Sequence, residues 1–150
     1  MRNSLGFHLL DRKASASGGV TTQARTSVDF LVDESSLLKL LTKEDSGHED
    51  FMGCFIRGFR EKNLAKQKTL LASSPAETED SRVLLYVCPE CGDIGCGAYA
   101  VKVQTTQGGV EWSEFAYVNG YEPPRPIKSI GPFLFAPEEY KDVVTRSSDA

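Results

Sequence analysis

Residues 98–118 read AYAVKVQTTQGGVEWSEFAYV, and their pattern decides the fold. Tyr99, Val101 and Val103 alternate with smaller or polar neighbours, the period-two signature of a strand. Gln107-Gly108-Gly109 supplies a hairpin turn, because glycine accepts positive φ. The returning run, 110–118, breaks the alternation. Val110 and Trp112 share one face, while Phe115 and Tyr117 lie on the other. Either a bulge intervenes or the sheet is covered on both sides. Upstream, RVLLYVC (82–88) is a continuous apolar run after Arg82, which suits a buried central strand. Residues 82–88, 98–105 and 110–118 therefore make a three-stranded antiparallel meander.

The N-terminal part adds a hairpin. LGFHLLD (5–11) and TSVDFLV (26–32) both read as strands, joined by a small, polar linker. DESSLLKLLTKED follows, with Asp33 read as a helix N-cap and Glu34 in the first turn. Leu37, Leu38, Leu40 and Leu41 form its apolar stripe, and Ser46-Gly47 ends it. FMGCFIRGF (51–59) fits either an irregular helix or a strand, and NLAKQKTLLAS (63–73) a short helix. SSPAETEDS (73–81) has the composition of a surface linker. After the meander, FLF (133–135) reads as a short edge strand. APEEYKDVVTR then opens a helix with Pro137 near its first position and Glu138 and Glu139 beside the dipole. The expected fold is a single α+β domain over residues 1–150, an antiparallel sheet with two to three helices.

Composition narrows the function classes. The formal net charge is −4, with 40% hydrophobic and 25% charged residues, ordinary for a soluble globular protein. The basic concentration at Arg57, Arg60, Lys62, Lys66 and Lys68 reads as a solvated helix face, so no nucleic-acid partner is expected. No run is long enough for a membrane span, and MRNSLGFHLLDRK lacks the build of a secretory signal, so the expected location is cytoplasmic. No G-x-S-x-G, P-loop or H-E-x-x-H motif is present, and no catalytic residue is assigned. His8 reads as a packed or edge histidine and His48 as an exposed loop residue.

Between the first two meander strands lies VCPECGDIGCG (87–97). Cys88-Pro-Glu-Cys91-Gly has the form of half a zinc ribbon, with two thiols on one tight turn. Cys96 can reach as a third ligand. A fourth has to come from Cys54, His48, His8 or Asp93, and Cys54 completes the expected set for a structural zinc. Two alternatives stand beside it. The C-x-x-C pair would serve a thiol oxidoreductase, although Gly92, Asp93, Ile94 and Gly95 follow where such a motif needs a helix. The stretch also works as a glycine-rich connection with buried sulfurs.

LLYVCPECGDIGCGAYAVKV, VEWSEFAYVNGYE and GPFLFAPEEY, in that order, resemble a family of small uncharacterised bacterial proteins with a CPECGD-x-GCG motif. The likeness covers about residues 83–141. Members often carry an oxidoreductase label, for which these residues offer no physical support. By analogy of size and charge, small acidic bacterial proteins of this kind act as immunity proteins that neutralise a cognate toxin. The expected activity is therefore non-enzymatic, with acidic and aromatic side chains occluding a basic toxin cleft. Glu111, Glu114, Tyr121 and Glu122, on the last meander strand and its loop, are the expected contacts. The alternatives are a zinc-stabilised protein and a thiol oxidoreductase.

Overall fold

A computed structural model describes residues 2–12, 15–17, 20–22, 25–45, 52–87, 97–119 and 121–149. Strand β1 (Leu5–Arg12) runs antiparallel to β4 (Arg25–Val32), in register from Leu5 opposite Val32 to Arg12 opposite Arg25. The ribbon β2 (Ser15–Ser17) and β3 (Val20–Thr22) lies between them in sequence. Short β5 (Ser35–Ser36) adds to β4 and leads into α1 (Leu37–Asp45). Helix α2 (Arg60–Leu70) precedes the meander of β6 (Arg82–Val87), β7 (Ala98–Thr106) and β8 (Gly109–Val118). Along the far side of β8 pair β9 (Arg125–Pro126) and β10 (Phe133–Phe135), and α3 (Pro137–Ser148) follows. The result is an α+β fold with a three-stranded and a five-stranded antiparallel sheet.

Two short contacts stitch the sheets together. Val28 and Cys54 exchange backbone hydrogen bonds of 2.6 and 2.8 Å, and Gly53 and Val87 exchange two of 3.0 Å. Residues 53–54 thus bridge β4 to β6. Within FMGCFIRGF, whose Phe51 lies outside the described residues, residues 52–59 form neither a helix nor a full strand but contain a two-residue splice. On the other flank the Asn3 amide donates to the Leu134 carbonyl at 2.6 Å, and the Leu134 amide to Asn3 Oδ1 at 2.9 Å. β10 is therefore not left as a bare edge. Gly53 is required at the splice: a Cβ there would lie 2.0 Å from Ser27 Oγ.

One core spans both halves, with residues from Leu5 and Val28 through Trp112 to Val144. Fully buried Trp112 sits at its centre. Phe30, Phe135 and Tyr140 meet its ring edge-to-face at centroid distances of 5.5, 5.1 and 5.9 Å, the geometry that the ring quadrupoles favour. Its Nε1–H donates to the Tyr140 hydroxyl at 3.1 Å, and that hydroxyl donates to the Leu70 carbonyl at 2.5 Å. The chain of bonds ties β8 to α3 and to the end of α2.

A buried carboxylate joins the N-terminal sheet to the meander. Asp29 Oδ1 accepts from the Tyr86 hydroxyl at 2.7 Å and from the Leu38 amide at 3.2 Å. Its Oδ2 bonds His8 Nε2 at 2.8 Å and accepts from Ser36 Oγ. A buried charge is tolerated when its lone pairs are filled in this way. The network also corrects the start of α1. Asp33 is not its N-cap. Asp33 and Glu34 occupy a turn at φ 50° and 70°, and Ser36 Oγ accepts from the Lys39 amide at 3.1 Å as the cap does. Asp33 instead ties down the N-terminus. It accepts from the Ser4 amide at 2.9 Å and Asn3 Nδ2 at 2.7 Å, and these bonds, Ser4 first, hold its carboxyl below the ordinary value.

Candidate partner-binding face

The break in alternation along β8 has a specific form. Ala100 pairs with Ala116 and Lys102 with Ser113, so Val101 faces two residues, Glu114 and Phe115. Glu114 takes φ 52° at this bulge. The extra residue returns Phe115 and Tyr117 to the face that carries Val110 and Trp112. Both halves of the sequence expectation therefore hold, since the other face is covered as well. There Leu84, Val87, Ala98, Ala100, Ala116 and Val118 are buried, with Ile56 over them. Further along the strands this outer face turns polar, at Arg82, Lys102, Gln104, Glu111, Ser113 and Glu114.

Two open clefts mark the outer face. The first, about 470 Å³, has Leu84, Val118 and Pro124 as its apolar lining and Glu77, Glu79, Asp80 and Glu122 as its carboxylates. Two of these are spoken for. Glu77 pairs with Lys66, and Asp80 with Arg82. Burial pushes the Asp80 carboxyl up, but Thr78 and Arg82 outweigh it and hold the group below its ordinary value. Glu79 and Glu122 have no ion-pair partner among the described residues. Tyr121, next to Glu122, is 83% exposed. The second cleft, about 530 Å³, lies where β9 and β10 leave the edge of β8 uncovered. Glu111 and Glu114 line it with Phe115, Ile127 and Lys128. Glu114 pairs with Lys102 at 3.3 Å, whereas Glu111 is free among the described residues.

The loop that carries Tyr121 and Glu122 is anchored at both ends. Asn119 Oδ1 accepts from the Tyr121 and Glu122 amides at 2.9 and 3.0 Å, an Asx turn. Arg125 binds Asp45, at the end of α1, through two bonds of 2.8 Å and stacks 4.6 Å over the Tyr117 ring. The Asp45 hydrogen bond raises the guanidinium pKa further. Such a forked, stacked contact is one that lysine would not reproduce.

The structure thus divides the expected contacts. Glu122 lines the first cleft with exposed Tyr121 next to it in sequence, Glu111 and Glu114 line the second, and Arg82 is bonded to Asp80 of the first and through Nε to the Glu114 carbonyl of the second at 2.9 Å. Sequence reasoning missed Glu77, Glu79 and Asp80. Their signal was three carboxylates within AETED, which composition alone marks as a linker.

Of the expected metal ligands, Cys88, Cys91 and Cys96 lie outside the described residues, as does His48. Cys54 is buried, and its thiol is pushed up to about 12, chiefly by burial and against the pull of Lys66. It therefore keeps its proton at neutral pH. Its backbone neighbour Gly53 pairs with Val87, the residue before Cys88. His8, half exposed, serves Asp29. Among the described residues no group of three or more His, Cys, Asp or Glu is placed to hold a metal ion, and no helix is long and apolar enough to cross a membrane.

Comparison of the chain with family models, curated proteins and solved structures finds no match in any of the three.

Proposed function

We propose that this chain is a non-enzymatic, cytoplasmic bacterial protein of the immunity type, which neutralises a cognate toxin by covering its basic active-site cleft. The observation that carries the reading is the first outer-face cleft. It combines an apolar floor of Leu84 and Val118 with Glu79 and Glu122, carboxylates without an ion pair among the described residues, and exposed Tyr121 precedes Glu122 in sequence. An aromatic anchor beside an apolar floor supplies binding energy, and unpaired charges around it supply steering and partner choice. Glu111 and Glu114 extend the acidic surface along β8. Asp45 and Arg125 hold the rim loop in place, which lowers the ordering cost on binding.

Toxin and immunity genes stand side by side, so the test uses the products of the adjacent genes. One of them is expected to be toxic when expressed alone, harmless with this chain, and bound by it in titration calorimetry. Glu79→Lys with Glu122→Lys is expected to weaken that binding about a hundredfold while leaving the thermal midpoint in place. Harmless neighbours, or binding indifferent to the double reversal, would sink the proposal.

A zinc-stabilised protein is the second reading. Its support is the Gly53–Val87 pairing, which brings the backbone at Cys54 beside the strand that leads into Cys88. Elemental analysis of reduced protein, purified without added metal, decides it. Less than about a tenth of an equivalent of zinc excludes a site of the usual structural affinity.

A further inference from the structure

We propose a second docking site, in the groove between the start of α2 and the end of α3, for an acidic segment of another protein that carries an apolar side chain among its carboxylates. It is separate from the acidic outer face and does not depend on that face's role. Among the described residues, Lys66, Arg82, Lys102, Arg125 and Arg146 hold a carboxylate. Arg57, Arg60, Lys62 and Lys68 do not, among the described residues. Lys39, Lys43, Lys128 and Lys141 also lack an ion pair there but are spread along the chain, whereas these four fall within residues 57–68 of a chain of net charge −4.

Their arrangement is not that of a uniformly solvated helix. Arg60, Leu64 and Lys68 follow at i, i+4 and i+8, so they form one stripe along α2. Leu64 is 47% exposed in the middle of that stripe. Beside it opens a groove of about 290 Å³, lined by Arg57, Arg60, Asn63 and Leu64 on one side and by Ser148 and Asp149 on the other. An apolar side chain seated against Leu64 leaves adjacent carboxylates within reach of the two guanidiniums. Arginine pairs with carboxylates through two parallel bonds, which gives direction as well as charge.

A peptide suits this surface better than a nucleic acid does. A phosphate backbone gains nothing from Leu64, and Phe59, the aromatic ring nearest the stripe, is only half exposed, with Lys62 5.5 Å above it. Asp149 also lines the groove, and Glu61 follows Arg60 in sequence. A phosphate ladder of fixed spacing runs into them, whereas a peptide can place its acids opposite Arg57 and Arg60 and a neutral residue elsewhere. Exposed pairs each contribute little, so binding should be weak, salt-sensitive and dependent on the apolar contact.

The test titrates the full chain with two short labelled peptides rich in glutamate, one with central leucines and one with glutamines in their place. A single-stranded RNA of similar charge is the third probe. The leucine peptide is expected to bind about tenfold tighter than the glutamine peptide, and Leu64→Ser to erase that preference. Arg57→Ala with Arg60→Ala should weaken both peptides about tenfold or more. Lys39→Ala with Lys43→Ala, which removes two cations from α1 instead, should change neither by more than about twofold. Equal binding of the two peptides, a preference that survives Leu64→Ser, or RNA bound as tightly as the leucine peptide would overturn the assignment.

Discussion

On β8, Val110, Trp112 and Phe115 point into the main core, while Glu111, Ser113 and Ala116, one residue away in each case, point outward. The inner face is continuous, aromatic and closed by α3 and the N-terminal sheet. The outer face is divided, with small buried alanines beneath Ile56 at one end and carboxylates and open clefts at the other. The same strands thus serve two purposes, and the difference lies in what covers them. Stability should reside in the inner face and recognition in the outer one. Substitutions on the two sides should therefore separate in their effects.

The largest effect is expected at the centre of the inner face. Trp112→Ala empties the space among Phe30, Phe135 and Tyr140 and leaves the Tyr140 hydroxyl without its indole donor. A loss of about 3–5 kcal/mol is expected from urea denaturation. A loss under about 1 kcal/mol would mean that the two halves do not share this core.

Alkaline pH probes the same face. The folded Cys54 thiol titrates at about 12 against an ordinary 9.0. Between these values the unfolded chain has released the proton and the folded chain has kept it. Stability therefore falls as pH rises through that window, by up to about 1.4 kcal/mol per pH unit. Tyr86 and Tyr140, both raised chiefly by burial, act in the same direction above their ordinary 10.0. Denaturation curves from pH 8 to 11 check this, and Cys54→Ala should flatten the earliest part of the decline. A slope unchanged by that substitution would place the thiol in solvent.

A smaller loss, about 1–3 kcal/mol, is expected for Tyr86→Phe. It removes the hydroxyl that donates to Asp29 and accepts from the Phe30 amide at 3.1 Å. Chemical denaturation measures it, and hydrogen exchange at the Phe30 amide should rise with it. Unchanged exchange would remove Tyr86 from the link between the sheets.

The smallest effect should come from the outer face, and with the opposite sign. Glu114→Gly relieves the left-handed backbone at the bulge and gives up only an exposed pair with Lys102. A gain of about 0.5–1 kcal/mol in thermal unfolding is expected. A loss would show that the Glu114 side chain supports the fold as well as the surface.

How legible each feature was depended on how local its cause is. The meander, its glycine turn and the helix at Pro137 follow from period-two alternation and from residues that fix φ, so they could be read from short windows. Asp33 misled because an Asx residue before a leucine run is a good cap by local rules. The cap went to Ser36 because β5 first pairs with β4, and Asp33 was needed by Ser4 and Asn3. AETED looked like a linker because charge pattern alone cannot show which sheet face a loop crosses.

By itself the sequence determined the meander with its glycine turn, the helix at Pro137 and the acidic balance, because side-chain period, φ-fixing residues and composition belong to the chain alone. Only the tertiary structure decided three further things. Gly53 and Cys54 became the splice between sheets, because their pairing partners lie in distant strands. Asp29 became a buried anchor, because its donors arrive from β1, β5, α1 and β6. Glu79 and Glu122 came to share one cleft while Lys66 and Arg82 neutralised their neighbours. Each depends on groups far apart in sequence arriving within hydrogen-bond distance, and only the folded packing brings them there.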